Sequence, residues 1–225
     1  YTMVVVGSVD VYKRQIEANP KHAPVRAWFD RQGWVPQTFQ MEVWDAFAQG
    51  QDGLLQAPTG SGKTYAAMGH VLSTAAASGS DTLGVKLIWV APLRALSADI
   101  ADAARAMIEG LGLDWEVGTR TGDTSAKEKA KQRSALPDIL ITTPESLHIL
   151  IAQKGGVERL SSAQAVVVDE WHELLGSKRG VQVELAVSWI AQRSAQKGLD
   201  MRVWGISATL AEPELALEAL VGSSE

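Results

Sequence analysis

The chain has 225 residues, 46% of them hydrophobic and 21% charged, enough for one globular α/β domain with a sizeable core. A net charge of −5 excludes a dominant basic face, so any contact with nucleic acid must come from a local cleft. With no cysteine there are no disulfides and no thiolate metal site, which fits a reducing, cytoplasmic setting, and no run approaches the ~18 apolar residues of a membrane helix.

Residues 1–15 contain a β-like Met3-Val-Val-Val6 but continue no element, and they lack the basic start and apolar centre of a signal peptide. They resemble translated sequencing-adaptor read-through and are expected to be a non-native or disordered leader outside the fold. The domain proper is expected over residues 16–225. Residues 24–32 read as a short helix with Pro24 in its first turn and Gly33 as its stop. A second helix runs through Phe47, with Phe39, Val43, Trp44 and Phe47 on one face. Leu54-Leu55 marks a short strand, residues 65–72 a helix and residues 75–82 a small polar turn. Residues 85–91 form a nearly continuous apolar run, the mark of a strand buried on both faces.

The next helix carries Leu93, Leu96, Ile100, Ala103, Met107 and Leu111 as one stripe. Residues 115–118 are a strand candidate, and the small polar stretch 122–125 caps a charged helix over 126–134. Strands follow at 138–142, 165–168 and 201–206, with helices at 147–152 and 181–193 and another opened by Pro213 and cut short at the chain end. Thr143 caps the 147–152 helix, with Pro144 near its first position. Eight tryptophans are spread along the chain, which marks them as core or boundary residues rather than a stacking platform. Strands alternating with helices predict an α/β domain, a mainly parallel sheet with helices on both faces.

The stretch Ala57-Pro-Thr-Gly-Ser-Gly-Lys-Thr64 lies between a strand and a helix, where backbone N–H groups and the helix dipole favour an anion. Gly60 and Gly62 let the backbone wrap a phosphate, Lys63 reaches the β and γ phosphates, and Thr64 offers a hydroxyl to Mg²⁺. Thr59 and Ser61 complete the loop. Ala57 stands in the first glycine position of this pattern and requires the loop to enter at negative φ. Three further polar clusters lie just past strands: Thr143-Pro144-Glu145, Asp169-Glu170-Trp171-His172 and Ser207-Ala208-Thr209. In open parallel sheets ligands bind outside the carboxyl ends of the strands, so the four are expected to converge. Asp169 is placed to hold Mg²⁺ and Glu170 to deprotonate the attacking water. The alternatives are two acidic residues capping a helix near Trp171, or a metal cluster of Asp169, Glu170, His172 and Glu173, whose members sit too close together to face one ion.

These motifs, with Pro92-Leu-Arg-Ala-Leu96, resemble motifs I, Ia, Ib, II and III of superfamily 2 helicases, in family order and spacing. Phe39-Gln40 resembles the Q motif. Thr119-Arg-Thr-Gly-Asp-Thr124 and Glu170-Trp-His-Glu-Leu-Leu-Gly-Ser-Lys-Arg-Gly180 narrow the likeness to the Lhr (large helicase-related) branch, and most closely to its DNA ligase-associated DEXH-box members. The resemblance covers only a first RecA-like domain, so the chain is expected to be a C-terminally truncated fragment. It would act with a second RecA-like domain, accessory domains and a DNA ligase as partner, and be nearly inactive without that second domain.

The implied function is an ATP- and Mg²⁺-dependent helicase or translocase on single-stranded DNA, in DNA repair and away from membranes. RNA or duplex translocation, or a P-loop switch that never unwinds, are the alternatives. The likeness implies that His172 couples to Ser207 and Thr209, that Gln40 bonds adenine with Phe29 or Trp34 stacking on it, and that Arg94, Thr121, Gly122, Asp123, Thr124, Thr143 and Pro144 grip strand phosphates. Phosphate grip suits a translocase because it carries no sequence information. Arg94 also reads as a solvated first-turn arginine, and Lys178-Arg179 reads equally as a nucleic-acid contact or a solvated loop.

Overall fold

The computed structural model of the chain describes residues 3–7, 19–79 and 84–222. In chain order it contains β1 (Met3–Gly7), α1 (Ala23–Arg31), α2 (Thr38–Ala48), β2 (Asp52–Gln56), α3 (Lys63–Ser78), β3 (Leu87–Val90), α4 (Arg94–Leu111), β4 (Val117–Arg120), α5 (Ala126–Ser134), β5 (Ile139–Thr142), α6 (Pro144–Ala152), α7 (Gly156–Leu160), β6 (Ala165–Val168), α8 (Trp171–Leu174), α9 (Lys178–Gln196), β7 (Arg202–Ser207) and α10 (Pro213–Val221). The seven strands form one sheet in the order β1-β2-β7-β6-β3-β5-β4, every neighbouring pair parallel. All strands therefore end at the same edge. None of the described helices is long and apolar enough to cross a membrane.

Successive residues of the central strands feed two separate cores, as period-two side-chain alternation requires. Leu87 and Trp89 face one core with α1 to α4, while Ile88 and Val90 face the other with α6, α8, α9 and α10. Both faces are apolar, so the strands read as unbroken hydrophobic runs. Tryptophans wedge the layers together against glycines. Gly53 of β2 pairs with Trp204 of β7, and a Cβ there would lie 2.5 Å from the indole ring. Gly69 of α3 likewise admits Trp44 of α2, whose Nε1 donates to the Tyr65 carbonyl at 3.2 Å.

Several elements differ from expectation. Met3–Gly7 joins the sheet as an edge strand, with Met3 opposite Asp52 and Gly7 opposite Gln56. Three consecutive valines suit an extended edge, and β2 offers unpaired backbone groups on that side. Residues 8–15 of the expected leader lie outside the described residues. The α3 helix runs on through 75–78, where alanines are strong helix formers, and ends before Gly79; residues 80–82 of the expected turn lie outside the described residues. The buried face of α4 is Ser97, Ile100, Ala101, Ala104, Met107 and Ile108, while Leu93 is 51% exposed. The helix packs through small residues, so its inner face is rotated from the stripe of largest side chains. The β4 strand starts two residues later than residues 115–118 suggest. The five-residue α7 has no counterpart in the sequence pattern because it is shorter than a hydrophobic period can reveal.

The buried His22 meets the half-buried His70 of α3. His22 Nε2 and His70 Nδ1 are 3.1 Å apart, His22 Nδ1 is 3.3 Å from Asp45 Oδ1, and the His70 ring stacks on Phe47. Burial, with the charge of His22 adding to it, pushes His70 down to about 4. A histidine whose folded pKa lies below its unfolded value of about 6.5 binds its proton more weakly when folded. Its contribution to stability is intact above pH 6.5 and is lost as pH falls toward 4. The loss is on the order of 3 kcal/mol. We expect the unfolding free energy of the parent, relative to His70→Leu, to fall by about that amount between pH 7.5 and pH 4. Denaturant titrations at the two pH values measure it, and a pH-independent difference would contradict the burial of a neutral His70.

Candidate functional site

Of the four clusters expected to converge, those after β2, β6 and β7 interlock at one edge of the sheet, while Thr143-Pro144-Glu145 after β5 bonds instead within α6 and to Arg179. The loop after β2 begins at Ala57, 1% exposed, whose N–H donates to the Ser207 carbonyl at 3.0 Å. Ala57 enters at negative φ, as required of it, since Glu170 is the one non-glycine at positive φ among the described residues. Gly60 and Gly62 sit at φ 78° and 90°, which an L side chain rarely adopts. They curl the loop so that α3 starts at Lys63 with its N-terminus facing the cavity of the loop. Thr59 and Gly60 are exposed, Ser61 and Thr64 partly so, and the Ser61 hydroxyl donates to the Pro58 carbonyl at 2.7 Å.

Lys63 is buried to 8% exposure, with Nζ donating to the Ala57 carbonyl at 3.0 Å and lying 3.7 Å from Glu170 Oε1. Glu170 Oε2 lies 3.4 Å from His172 Nδ1, and that nitrogen is 2.9 Å from Ser207 Oγ. Ser207 Oγ in turn donates to the Thr209 carbonyl at 3.1 Å. One continuous polar chain thus runs from the phosphate-type loop through the Glu170 carboxylate to the end of β7. Thr209 takes part through its backbone.

Asp169 closes the same space. Trp89 Nε1 donates to its Oδ2 at 3.3 Å and the Glu170 N–H to its Oδ1 at 2.9 Å. Burial, then the neighbouring Glu170 charge, pushes its carboxyl up to about 6. A buried carboxylate beside a second one is under-compensated, and a cation placed there would restore its ordinary acidity. Glu170 sits at φ 46°, ψ 45°, a left-handed conformation that costs an L residue roughly 1–2 kcal/mol. Its backbone is held there while its carboxylate faces Lys63 and His172, so local strain supports the placement of a reactive group.

The remaining expected residues divide. Gln40 is 3% exposed and already bonded at both ends of its amide: Oε1 accepts from the Gln37 N–H at 2.9 Å and Nε2 donates to the Gly62 carbonyl at 3.1 Å. It braces the loop. Phe29 is buried in the core at 2% exposure, whereas Trp34 is 43% exposed with its ring centroid 5.5 Å from that of Tyr65. Of the two stacking candidates only Trp34 offers an open face.

Arg94 Nη1 donates to Asp123 Oδ1 at 2.8 Å, and both side chains are exposed. The threonine hydroxyls of the loop after β4 turn inward. Thr124 Oγ1 accepts from the Thr121 N–H at 2.9 Å, and Thr121 Oγ1 accepts from the Asp123 N–H at 3.2 Å. Thr143 Oγ1 caps α6 by accepting from the Ser146 N–H at 3.4 Å, with Pro144 buried behind it. These threonines shape loops and leave Gly122, Asp123 and Arg94 outermost.

Sequence reasoning missed three features: the Trp89 bond to Asp169, the left-handed Glu170, and the contacts of Arg179. The first had a signal, because a tryptophan inside a buried strand needs an acceptor for its N–H.

A family model described as DEAD/DEAH box helicase matches residues 37–216. The Lhr helicase/uracil glycosylase of Escherichia coli (strain K12) is 34% identical over 179 residues, covering 72% of this chain and 12% of the relative. The ATP-dependent helicase Lhr-Core of Methanothermobacter thermautotrophicus is 37% identical over 188 residues, covering 78% of this chain and 21% of the relative. The chain therefore spans between about an eighth and a fifth of these relatives. Among solved structures, Mycobacterium smegmatis helicase Lhr bound to ssDNA and AMP-PNP superposes with a TM-score of 0.77 at 32% identity, over 90% of this chain and 27% of that one.

Proposed function

Because the chain belongs to the DEAD/DEAH box helicase family, we propose that it is the ATP-binding, first RecA-like domain of a translocase that moves on single-stranded DNA. The observation that carries this is the unbroken polar chain Lys63–Glu170–His172–Ser207, which joins the phosphate loop to the end of β7. The single strand and AMP-PNP held by the Mycobacterium smegmatis relative support the choice of ligands. A DNA-repair setting, a cytoplasmic location and a DNA ligase partner follow from the resemblance of the motifs alone.

The N–H groups of the loop, with the space beside Gly60 open, would cradle the triphosphate, and Trp34 offers a stacking face for the base. Lys63 would exchange its bond to the Ala57 carbonyl for the β and γ phosphates. Thr64 and Asp169 are the residues that would hold Mg²⁺, which would supply positive charge against the charge that develops on the phosphates. Glu170, released from Lys63, accepts the proton of the attacking water. His172 lies between Glu170 and Ser207, so a shift of either is felt at β7 and its loop. Full hydrolysis would need an arginine from a second RecA-like domain, worth about 10³–10⁵ in rate. That domain belongs to the proposal for the whole protein.

Glu170→Gln in the intact enzyme should still bind nucleotide but lose about 10²–10⁴ in steady-state turnover; turnover within about threefold of the parent would remove Glu170 from the mechanism. For the strand site, if roughly two phosphates are neutralised, log K should fall with log salt at a slope of about −1.4. Arg94→Ala should flatten that slope by about 0.7 with no preference for sequence, measured by anisotropy of a labelled oligonucleotide. An unchanged slope would mean that Arg94 touches no phosphate.

A further inference from the structure

The nucleotide-side cluster and the strand-side loops are two groups of residues, and one side chain spans them. Arg179, in the first turn of α9, donates from Nε to Glu145 Oε1 at 2.6 Å and from Nη2 to the Pro92 carbonyl at 2.5 Å. Glu145 lies in the first turn of α6, directly after Thr143 and Pro144. Pro92 precedes Arg94 by two residues, and Arg94 holds Asp123 of the loop after β4. Arg179 thus grasps the loops after β3 and β5 directly and reaches the loop after β4 through Arg94. Its side chain is 38% exposed and is paired with the 51% exposed carboxylate of Glu145, so it bridges two loops at the surface.

The path back to the carboxylates is short and rigid. The Glu173 N–H donates to the Glu170 carbonyl at 2.8 Å, starting α8. The Leu175 N–H donates to the Trp171 carbonyl at 2.9 Å, and Ser177 donates through both its N–H and its hydroxyl to the Leu174 carbonyl, at 3.0 and 2.6 Å. Ser177 Oγ then accepts from the Gly180 N–H at 3.1 Å. A Cβ on Gly180 would sit 2.1 Å from the Leu174 carbonyl oxygen, so glycine is what lets α9 start against α8. Hydrogen bonds and the close approach of Gly180 thus brace the backbone between Glu170 and Arg179, and Glu170 is held in a left-handed conformation.

We propose that Arg179 is the positioning residue that couples the Asp169–Glu170 carboxylates to the strand-gripping loops, so that nucleotide and single strand strengthen each other's binding through it. This rests on the nucleotide and strand sites proposed above. A planar guanidinium suits the task because its fork presents N–H groups to two acceptors on two different loops at once; a lysine ammonium lacks that fixed geometry. Coupling between sites is reciprocal, so it can be read from binding alone.

The test measures affinity of the 225-residue chain for a fluorescein-labelled oligothymidylate at low salt, with and without AMP-PNP and Mg²⁺, and affinity for AMP-PNP without oligonucleotide. The parent should bind the strand at least about fivefold tighter with nucleotide present. In Arg179→Ala that factor should fall to within about twofold, while AMP-PNP affinity without strand and the melting temperature stay unchanged. Arg179→Lys should not restore it. Glu145→Gln, which keeps the shape and removes one partner, should lose at least half of the coupling on a logarithmic scale, and it decides the matter if Arg179→Ala fails to fold. Full coupling in these variants, or a parent that binds both ligands without coupling, would overturn the proposal. A parent that binds neither ligand would sink the helicase reading itself, and this inference with it.

Discussion

All seven strands run the same way, and that constraint organises the rest of the molecule. A parallel sheet puts every strand's carboxyl end at one edge, and each connection must climb back along a face to start the next strand. Helices α1 to α4 cover one face and α6 to α10 the other, so both faces are apolar and the carboxyl edge is left to the loops. The apolar cores that result fix the strand ends with little freedom, which is what lets Lys63, Glu170, His172 and Ser207 meet from three separate loops. Tryptophans locked against glycines, as Trp204 is against Gly53, hold neighbouring strands in register beneath that edge.

The carboxyl edge is also where the molecule carries its strain and its uncompensated charge. Glu170 is held left-handed, and Asp169 is buried beside it with its carboxyl pushed up to about 6. Neither arrangement favours the fold, and both point into the same space as the phosphate loop. Sites of function are where local rules are expected to be broken. Much of the rest follows them: the central buried strands are apolar, helices begin at Ser125, Thr143 and Ser177 with side-chain caps, and glycines take the other positive φ values among the described residues.

Much of this was legible in the sequence. The central strands announce themselves because burial on both faces removes polar residues from the run, and the phosphate loop because a glycine pattern between strand and helix has few other uses. The parallel sheet accounts for the meeting of three of the four expected clusters, those after β2, β6 and β7. Two of the missed features share a cause. Trp89 and Asp169 are 80 residues apart and Arg179 and Pro92 are 87 apart, so no local spacing records those contacts. The inner face of α4 was misread because small residues, not large ones, set how closely it lies on the sheet. Gln40 illustrates a third case, a residue whose motif suggests a ligand while its amide is already satisfied by Gln37 and Gly62.

The account stands or falls on the carboxyl edge being a nucleotide site built around Lys63. Isothermal titration of the chain with AMP-PNP in the presence of Mg²⁺ addresses it directly. One-to-one binding is predicted for the parent, with loss of most of that affinity in Lys63→Ala and no loss in a Lys197→Ala control. Absence of binding to the parent, or equal affinity in Lys63→Ala, would contradict it.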